Sequence, residues 1–291
     1  MTSQLVEPFG LLAVMKPPGM TSHDVVSRVR RVVGTRRVGH GGTLDPAAAG
    51  VMLVAVGKAT RLLRFLDDKK AYIAEIVMGL GTDSGDLEGA LIATADASAL
   101  TVRDVVDVLP AFSGLIRQKP PLTSAVHVNG KRLYEYAHRG ETLDEALIPE
   151  REVLVSKLEI REFLPGPRAT IRLEIDCSAG TYIRSLAMDI GARLGLPAVL
   201  SFLLRTRAGG AISQESQTLE ELSVGVRWLS LDIHLAHLPA RILEPSEVAD
   251  VGHGRTVRGE YTGFVRLLDP TRKLVAVGEG HAGVVQPVVV F

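Results

Sequence analysis

The sequence predicts an α+β protein that ends in a small, separate β-rich segment. Three observations carry that prediction. Residues 170–177, TIRLEIDC, alternate strictly between apolar and charged side chains, as a strand with one buried face does. Amphipathic helical stretches, such as TSHDVVSRVRRVVG at 21–34, lie between strand-like runs. After HLAHLPARILEP the helical periodicity gives way to short strand pieces. With 291 residues the chain can form one large domain and a small appended one, expected at 1–237 and 238–291.

Along the chain, Thr21 or Ser22 caps the first helix, Asp24 suits its first turn and Gly34 closes it. Val25, Val26, Val29, Val32 and Val33 share one face, with Arg28, Arg30 and Arg31 away from it. VMLVAVG at 51–57 reads as a buried strand, AYIAEIVMGLG as another, and the motif at 36–50 as the connection before the former. Thr101 and Asp104 form a capping box ahead of VRDVVDVLPAF, where Pro110 ends the helix. Residues 119–150 open with a proline pair and carry a hairpin signal at Asn129–Gly130, so they read as an insertion off the main sheet. TYIRSLAMDIGARLGLP is a helix stopped by Gly195 and Pro197, which puts Tyr182 and Arg184 at a strand-to-helix junction. TGFVRLLD, KLVAVGEG and VVQPVVVF are the terminal strands, with no convincing helix among them.

Composition narrows the chemistry. Thirty-three basic and thirty-three acidic residues give no net charge, so a polyanion has to be held by a local patch. Residues 16–70 supply one, with eleven Lys and Arg against Asp24, Asp45, Asp67 and Asp68, a local excess of seven positive charges. The single cysteine, Cys177, rules out an internal disulfide and fits a reducing, cytoplasmic setting. The short run after Glu7 does not fit a signal peptide, and no run approaches a membrane span. GLGTDSG has the wrong spacing for a dinucleotide fingerprint, no phosphate-loop lysine motif occurs, and HLAHL lacks the glutamate of a zinc helix.

What remains is RRVGHGGTLDPAAAG at 36–50, one carboxylate among glycines beside clustered arginines. Read singly, Asp45–Pro46 fits a capped helical turn, and His40 fits a turn histidine bonded to local backbone. Tyr72 fits either an interface-filling aromatic or a base-stacking platform beside Lys69 and Lys70. Tyr182 and Arg184, read singly, fit an inward-packing helix start and a surface cation.

Five stretches in series decide among these readings: MKPPGMTSHDVV, GHGGTLDPAAAGVMLVAVGKATR, KKAYIAEIVMGLGTDSGD, PPLTSAVHVNGKRLYEYAHRGE and CSAGTYIRSLAMDIG. In that order the chain resembles the bacterial tRNA pseudouridine synthases of the TruB type over residues 11 to about 210, and the segment beyond resembles a PUA RNA-binding domain. The resemblance implies a mixed, mainly antiparallel sheet flanked by helices, a thumb at 119–150 and a small all-β PUA-like domain. It implies isomerisation of the T-loop uridine, position 55 of tRNA, by a stand-alone, cytoplasmic, monomeric enzyme. No cofactor, metal, membrane or obligate protein partner is expected, because the base is detached and rejoined within one substrate.

Residue by residue, the resemblance makes Asp45 the catalytic carboxylate, with attack at the ribose C1′, addition to uracil C6 and a proton shuttle left open. Arg184 pairs with Asp45, Tyr72 stacks on the uracil, and Tyr182 contacts ribose or phosphate. His40 fills the space left by the flipped base. Asp83 and Asp86 match an acidic pair near that base, Leu204 and Arg205 match a pocket wall, and Lys16 belongs to the substrate-binding set. The chain departs from the pattern at Gly41 and Ser84, both usually Thr, and at His127, where Lys is common. Two rivals are a tRNA-binding protein without turnover and a guide-RNA-dependent synthase.

Overall fold

The computed structural model describes residues 8–124, 126–139, 143 and 147–291. Residues 1–7, with the expectation drawn from Glu7, and parts of the 119–150 insertion lie outside them. The described chain divides into two compact units, residues 1–46, 51–68 and 208–291 in one, and 47–50 and 69–207 in the other.

In the first unit the strand Gly10–Lys16 lies beside Ala49–Val56, which is buried from Gly50 onward and pairs antiparallel with Val38–His40. The motif at 36–50 therefore begins as a short edge strand before it becomes a connection. The first helix, Ser22–Val33, has a full capping box. The Thr21 hydroxyl accepts from the Asp24 N–H, and the Asp24 carboxylate accepts from the Thr21 N–H. The Thr21 hydroxyl also donates to that carboxylate at 2.6 Å, and this bond, with the one from the Thr21 N–H, holds the Asp24 carboxyl below its usual range. Gly34 closes the helix in the left-handed conformation at φ 71°. Val25, Val26 and Val29 are buried as expected, but Arg30 is turned inward to donate to the Val38 carbonyl at 3.3 Å.

Residues Gly57–Phe65 form a 3₁₀-helix, in which every third residue shares a face. Ala59, Leu62 and Phe65 are buried, while Lys58, Arg61 and Arg64 are exposed. The buried row enters one apolar cluster with Leu11, Leu53 and, from the C-terminal sheet, Leu268, Leu274, Val277 and Val289. Phe65 meets Phe264 edge-on with ring centroids 4.7 Å apart, and the Arg61 guanidinium donates to the Val288 carbonyl at 2.8 Å.

That C-terminal sheet has five strands in the order 240–242, 263–268, 274–281, 284–290 and 257–258. The three expected terminal strands are present, whereas the expectation of no helix is wrong: Pro245–Gly252 is helical and packs Val248 and Val251 under the sheet. Pro245 stands at its first turn, and Glu244 takes the capping role that Ser, Thr, Asp or Asn usually fills.

The second unit is built on the strands 198–208, 70–78, 170–177, 151–164 and 114–118 in that order, with the last four paired antiparallel. Thr170–Cys177 alternates as its sequence predicts. Ile171, Leu173, Ile175 and Cys177 are buried, while Arg172, Glu174 and Asp176 ion-pair with Glu75, Lys157 and Arg207. Burial pushes the Cys177 thiol up to about 11, which leaves it protonated and inert near neutral pH. Ala49 and Gly50 join this unit by pairing in parallel with Leu204 and Arg205. Gly50 sits at φ 125°, and a Cβ there would run into the Arg205 backbone.

The helix Val102–Val108 carries the expected Thr101–Asp104 box, although the acid is Asp rather than Glu. In the insertion, Asn129 and Gly130 both have positive φ, 51° and 79°, and join the two-residue strands 127–128 and 131–132 as the sequence signal requires. Among the described residues no helix is long and apolar enough to cross a membrane.

Leu62→Ala is expected to remove about 2 to 5 kcal/mol of stability, because it empties a fully buried position where the 3₁₀-helix meets the C-terminal sheet. Urea unfolding of the two proteins measures the difference.

Candidate active site

The first unit holds Lys16, His40 and Asp45, and the second holds Tyr72, Asp83, Asp86, Tyr182, Arg184, Leu204 and Arg205. Asp45 is half-buried on an irregular loop; Pro46 follows it without starting a helix, so the capped-turn reading of Asp45–Pro46 does not hold.

The loop is fixed from both sides of Asp45. The Ser22 hydroxyl accepts from the Leu44 N–H at 2.8 Å and lies 3.0 Å from the Leu44 carbonyl, to which it donates. The Pro46 carbonyl accepts from the Gly19 N–H at 2.9 Å and from the Lys16 ammonium at 3.0 Å. Lys16 is fully buried at the end of its strand, and it also donates to the Pro17 carbonyl at 2.9 Å. A buried cation that spends its hydrogens on carbonyl oxygens holds those peptides firmly. The sequence therefore delivers Asp45 on a rigid support with three separate anchors.

His40 ends the short edge strand and is half-buried. Its Nδ1 accepts from the Gly42 N–H at 3.3 Å, the local backbone bond its sequence context suggests. Gly41 donates to the Leu53 carbonyl at 2.9 Å, and a Cβ there would meet only ordinary contacts, the nearest at 3.7 Å. Space does not demand glycine at this position.

In the second unit Tyr72 is nearly buried on the strand Lys70–Met78, opposite Ile175. The residues 82–90 form a turn tied by carboxylates. Asp86 accepts from the Ser84 hydroxyl at 2.5 Å and from the Glu88 N–H at 3.1 Å, and Asp83 accepts from the Ala90 N–H at 2.8 Å. Gly89 is required here, since a Cβ would collide with the Ser84 hydroxyl and the Asp83 carboxylate.

Arg184, on the first turn of the helix Ile183–Arg193, is 5% exposed. Its Nε lies 3.6 Å from the Asp86 carboxylate, Nη1 donates to the Ser84 carbonyl at 3.0 Å, and both Nη1 and Nη2 reach Thr123. Sequence reasoning identified Arg184 and Asp86 but not Thr123, which lies in the stretch beginning PPLT without having been singled out there. Tyr182 stands at the N-cap of the same helix, and Gln118 bonds its peptide on both sides. Arg205 is fully buried on the strand Ala198–Ala208, with Leu204 half-buried beside it. Among the described residues no group of three or more His, Cys, Asp or Glu side chains is placed to hold a metal ion.

Comparisons with known proteins show the family and the fold. The model of the TruB family pseudouridylate synthase N-terminal domain matches residues 30–183. The chain is 45% identical to tRNA pseudouridine synthase B of Gloeobacter violaceus over 97% of its own length and 98% of that protein. It is 51% identical to tRNA pseudouridine synthase B of Carboxydothermus hydrogenoformans over 73% of its length and 74% of that protein. Among solved structures it superposes with a TM-score of 0.72 and 26% identity on a chain of an H/ACA RNP bound to a substrate RNA containing 2′-deoxyuridine, covering 97% of this chain and 85% of that one. A Cbf5–Nop10–Gar1 complex gives 0.69 at 29% identity, covering 94% of this chain and 78% of the other.

Asp86→Ala is expected to cost about 3 kcal/mol, because it leaves the buried Arg184 cation without that carboxylate and unties the 82–90 turn. The shift in the urea-unfolding free energy reads it directly.

Proposed function

The chain belongs to the TruB family of pseudouridylate synthases, and from that premise we propose that it isomerises the T-loop uridine of tRNA, position 55, to pseudouridine. The observation that carries this reading is the placement of Asp45, a single carboxylate on a loop anchored at Leu44 and Pro46. The reaction breaks the bond from ribose C1′ to uracil N1, makes one from C1′ to C5, and transfers the C5 proton to solvent while N1 gains one. Electrons balance within the substrate, so one well-held carboxylate is sufficient protein chemistry, and no cofactor or metal is needed.

In this reading Asp45 is the covalent or electrostatic partner of the exchange, and Arg184 is its partner cation. Tyr72 stacks on the uracil, Tyr182 meets ribose or phosphate, and His40 fills the place of the flipped base. Asp83, Asp86, Leu204 and Arg205 complete the substrate-binding set, and the buried Lys16 serves it indirectly by holding the loop of Asp45. The insertion at 119–150 is the thumb and supports stand-alone action without a guide RNA. Residues 238–291 serve as a PUA-like RNA-binding module in a cytoplasmic enzyme.

The exposed row Lys58, Arg61 and Arg64 supports a polynucleotide substrate. The 3₁₀ geometry repeats it about every 6 Å, a spacing that suits consecutive phosphates along a strand. The ion pairs of the C-terminal part of this unit lie at Arg227–Glu221, Arg241–Glu247, Arg255–Asp250 and His281–Glu279, and among the described residues none engages this row.

Purified chain incubated with a tRNA transcript tritiated at uridine C5 is expected to release about one tritium per tRNA. Asp45→Asn is expected to lower that rate by more than about a thousandfold with tRNA affinity nearly unchanged. Equal release by the variant removes Asp45 from the chemistry. Tight binding without release by the native chain favours the guide-dependent or binding-only reading. Replacing Lys58, Arg61 and Arg64 together by Gln is expected to weaken tRNA binding and to flatten the slope of log K against log salt by about 2, as filter-binding titrations measure.

A further inference from the structure

The helix that carries Arg184 begins without a cap of its own. Tyr182 occupies its N-cap position and offers no side-chain acceptor to the first turn. In a capping box, a Glu or Gln three residues into the helix would reach back to the N-cap N–H. That position here is Ser185, whose hydroxyl instead donates outward to the Lys119 carbonyl at 2.8 Å. The missing function comes from another part of the chain. Gln118 is 2% exposed, its Oε1 accepts from the Tyr182 N–H at 3.1 Å, and its Nε2 donates to the Tyr182 carbonyl at 3.3 Å.

Gln118 ends the strand Gly114–Gln118 and stands immediately before the insertion. Five residues later, Thr123 accepts from Arg184 Nη1 through its hydroxyl and from Nη2 through its carbonyl at 3.3 Å. The insertion also has a small apolar core of Val126, Val128, Leu133 and Ile148, and the Tyr182 side chain packs against it. Gln118, Lys119 and Thr123 therefore grip three successive functions of one helix start: the Tyr182 peptide, the Ser185 hydroxyl and the Arg184 guanidinium.

We propose that Gln118 and Thr123 are positioning residues for the reaction, setting the Tyr182 backbone and the Arg184 guanidinium from the root of the insertion. Gln118 acts as a cap supplied in trans to the helix, and Thr123 fixes the rotation of a planar cation whose fork must face a defined direction. Neither residue touches the substrate in this role. The proposal rests on the reading that Tyr182 and Arg184 serve uridine isomerisation, and it adds the groups that orient them.

Thr123→Val keeps the shape and the backbone carbonyl but removes the hydroxyl, and Thr123→Ser restores it. Under single-turnover conditions with saturating enzyme, the valine variant is expected to release tritium from C5-labelled tRNA about tenfold more slowly. Its tRNA dissociation constant should stay within about twofold of the native value, its urea midpoint should fall by less than that of Asp86→Ala, and the serine variant should recover most of the rate. Gln118→Met is expected to accelerate hydrogen exchange at the Tyr182 amide in the tRNA-free protein. A native rate in Thr123→Val overturns the proposal. So does a loss that tracks the unfolding midpoint and is not rescued by serine, since that is the mark of a structural role. If the native chain releases no tritium, the functional reading fails instead. The tRNA-free measurement then decides the positioning claim, and unchanged exchange at Tyr182 in Gln118→Met overturns it.

Discussion

A buried ammonium group is among the most demanding things a small fold can contain, and the loop that carries Asp45 is organised around one. Lys16 has no solvent exposure, and its hydrogens are directed at the Pro17 and Pro46 carbonyls. Once the ammonium is buried, turning either carbonyl away costs it a hydrogen-bond acceptor that water does not replace. The strand Gly10–Lys16, the Pro17–Gly19 turn and the residue after Asp45 are thereby held in one arrangement. Ser22 completes it from the first helix, where a short hydroxyl both gives to and takes from Leu44. A carboxylate can be presented rigidly on irregular backbone when the residues on both sides of it are anchored, as Leu44 and Pro46 are here.

The second unit solves the corresponding problem for a cation. Arg184 is nearly as buried as Lys16, and it is met by a carboxylate, a backbone carbonyl and Thr123. Of these partners, Asp86 is itself oriented by Ser84, whose hydroxyl is the part of threonine that matters at this position. The departure from the family pattern at Ser84 therefore keeps the interaction and drops only a methyl group. Gly41 is different: a side chain would fit there, so glycine adds freedom to the unfolded loop without meeting a steric need.

Much of this was legible in the sequence wherever the signal is local. The Thr21 and Thr101 capping boxes, the Asn129–Gly130 turn and the alternation of 170–177 each follow from residues a few positions apart, and each formed as read. The helix Pro245–Gly252 was missed because its cap is Glu244, a residue type that rarely marks a helix start, and because strand-like pieces surround it. Arg30 was placed on the solvated face by periodicity alone, while its long stem let it turn back to the Val38 carbonyl. The motif at 36–50 identified Asp45, but Lys16 and Ser22 as the supports of its loop, and Gln118 and Thr123 as supports of the Tyr182–Arg184 turn, come from distant positions. No spacing rule connects them; only the fold does.

The 3₁₀-helix at Gly57–Phe65 carries an implication for how this stretch of chain is able to vary. With three residues per turn, apolar, intermediate and basic positions each form a straight line along the axis. Another cation can replace Lys58 without disturbing the packing beneath, whereas Arg61 also donates to the Val288 carbonyl and Arg64 lies over the Phe65 ring. A change of length cannot be absorbed in the same way. One residue added or removed after Ala59 would turn everything that follows by about a third of a revolution, exchanging the row that meets the C-terminal sheet for one that meets solvent. The reading frame of the helix, more than the identity of any one residue in it, is what joins the terminal sheet to the charged surface.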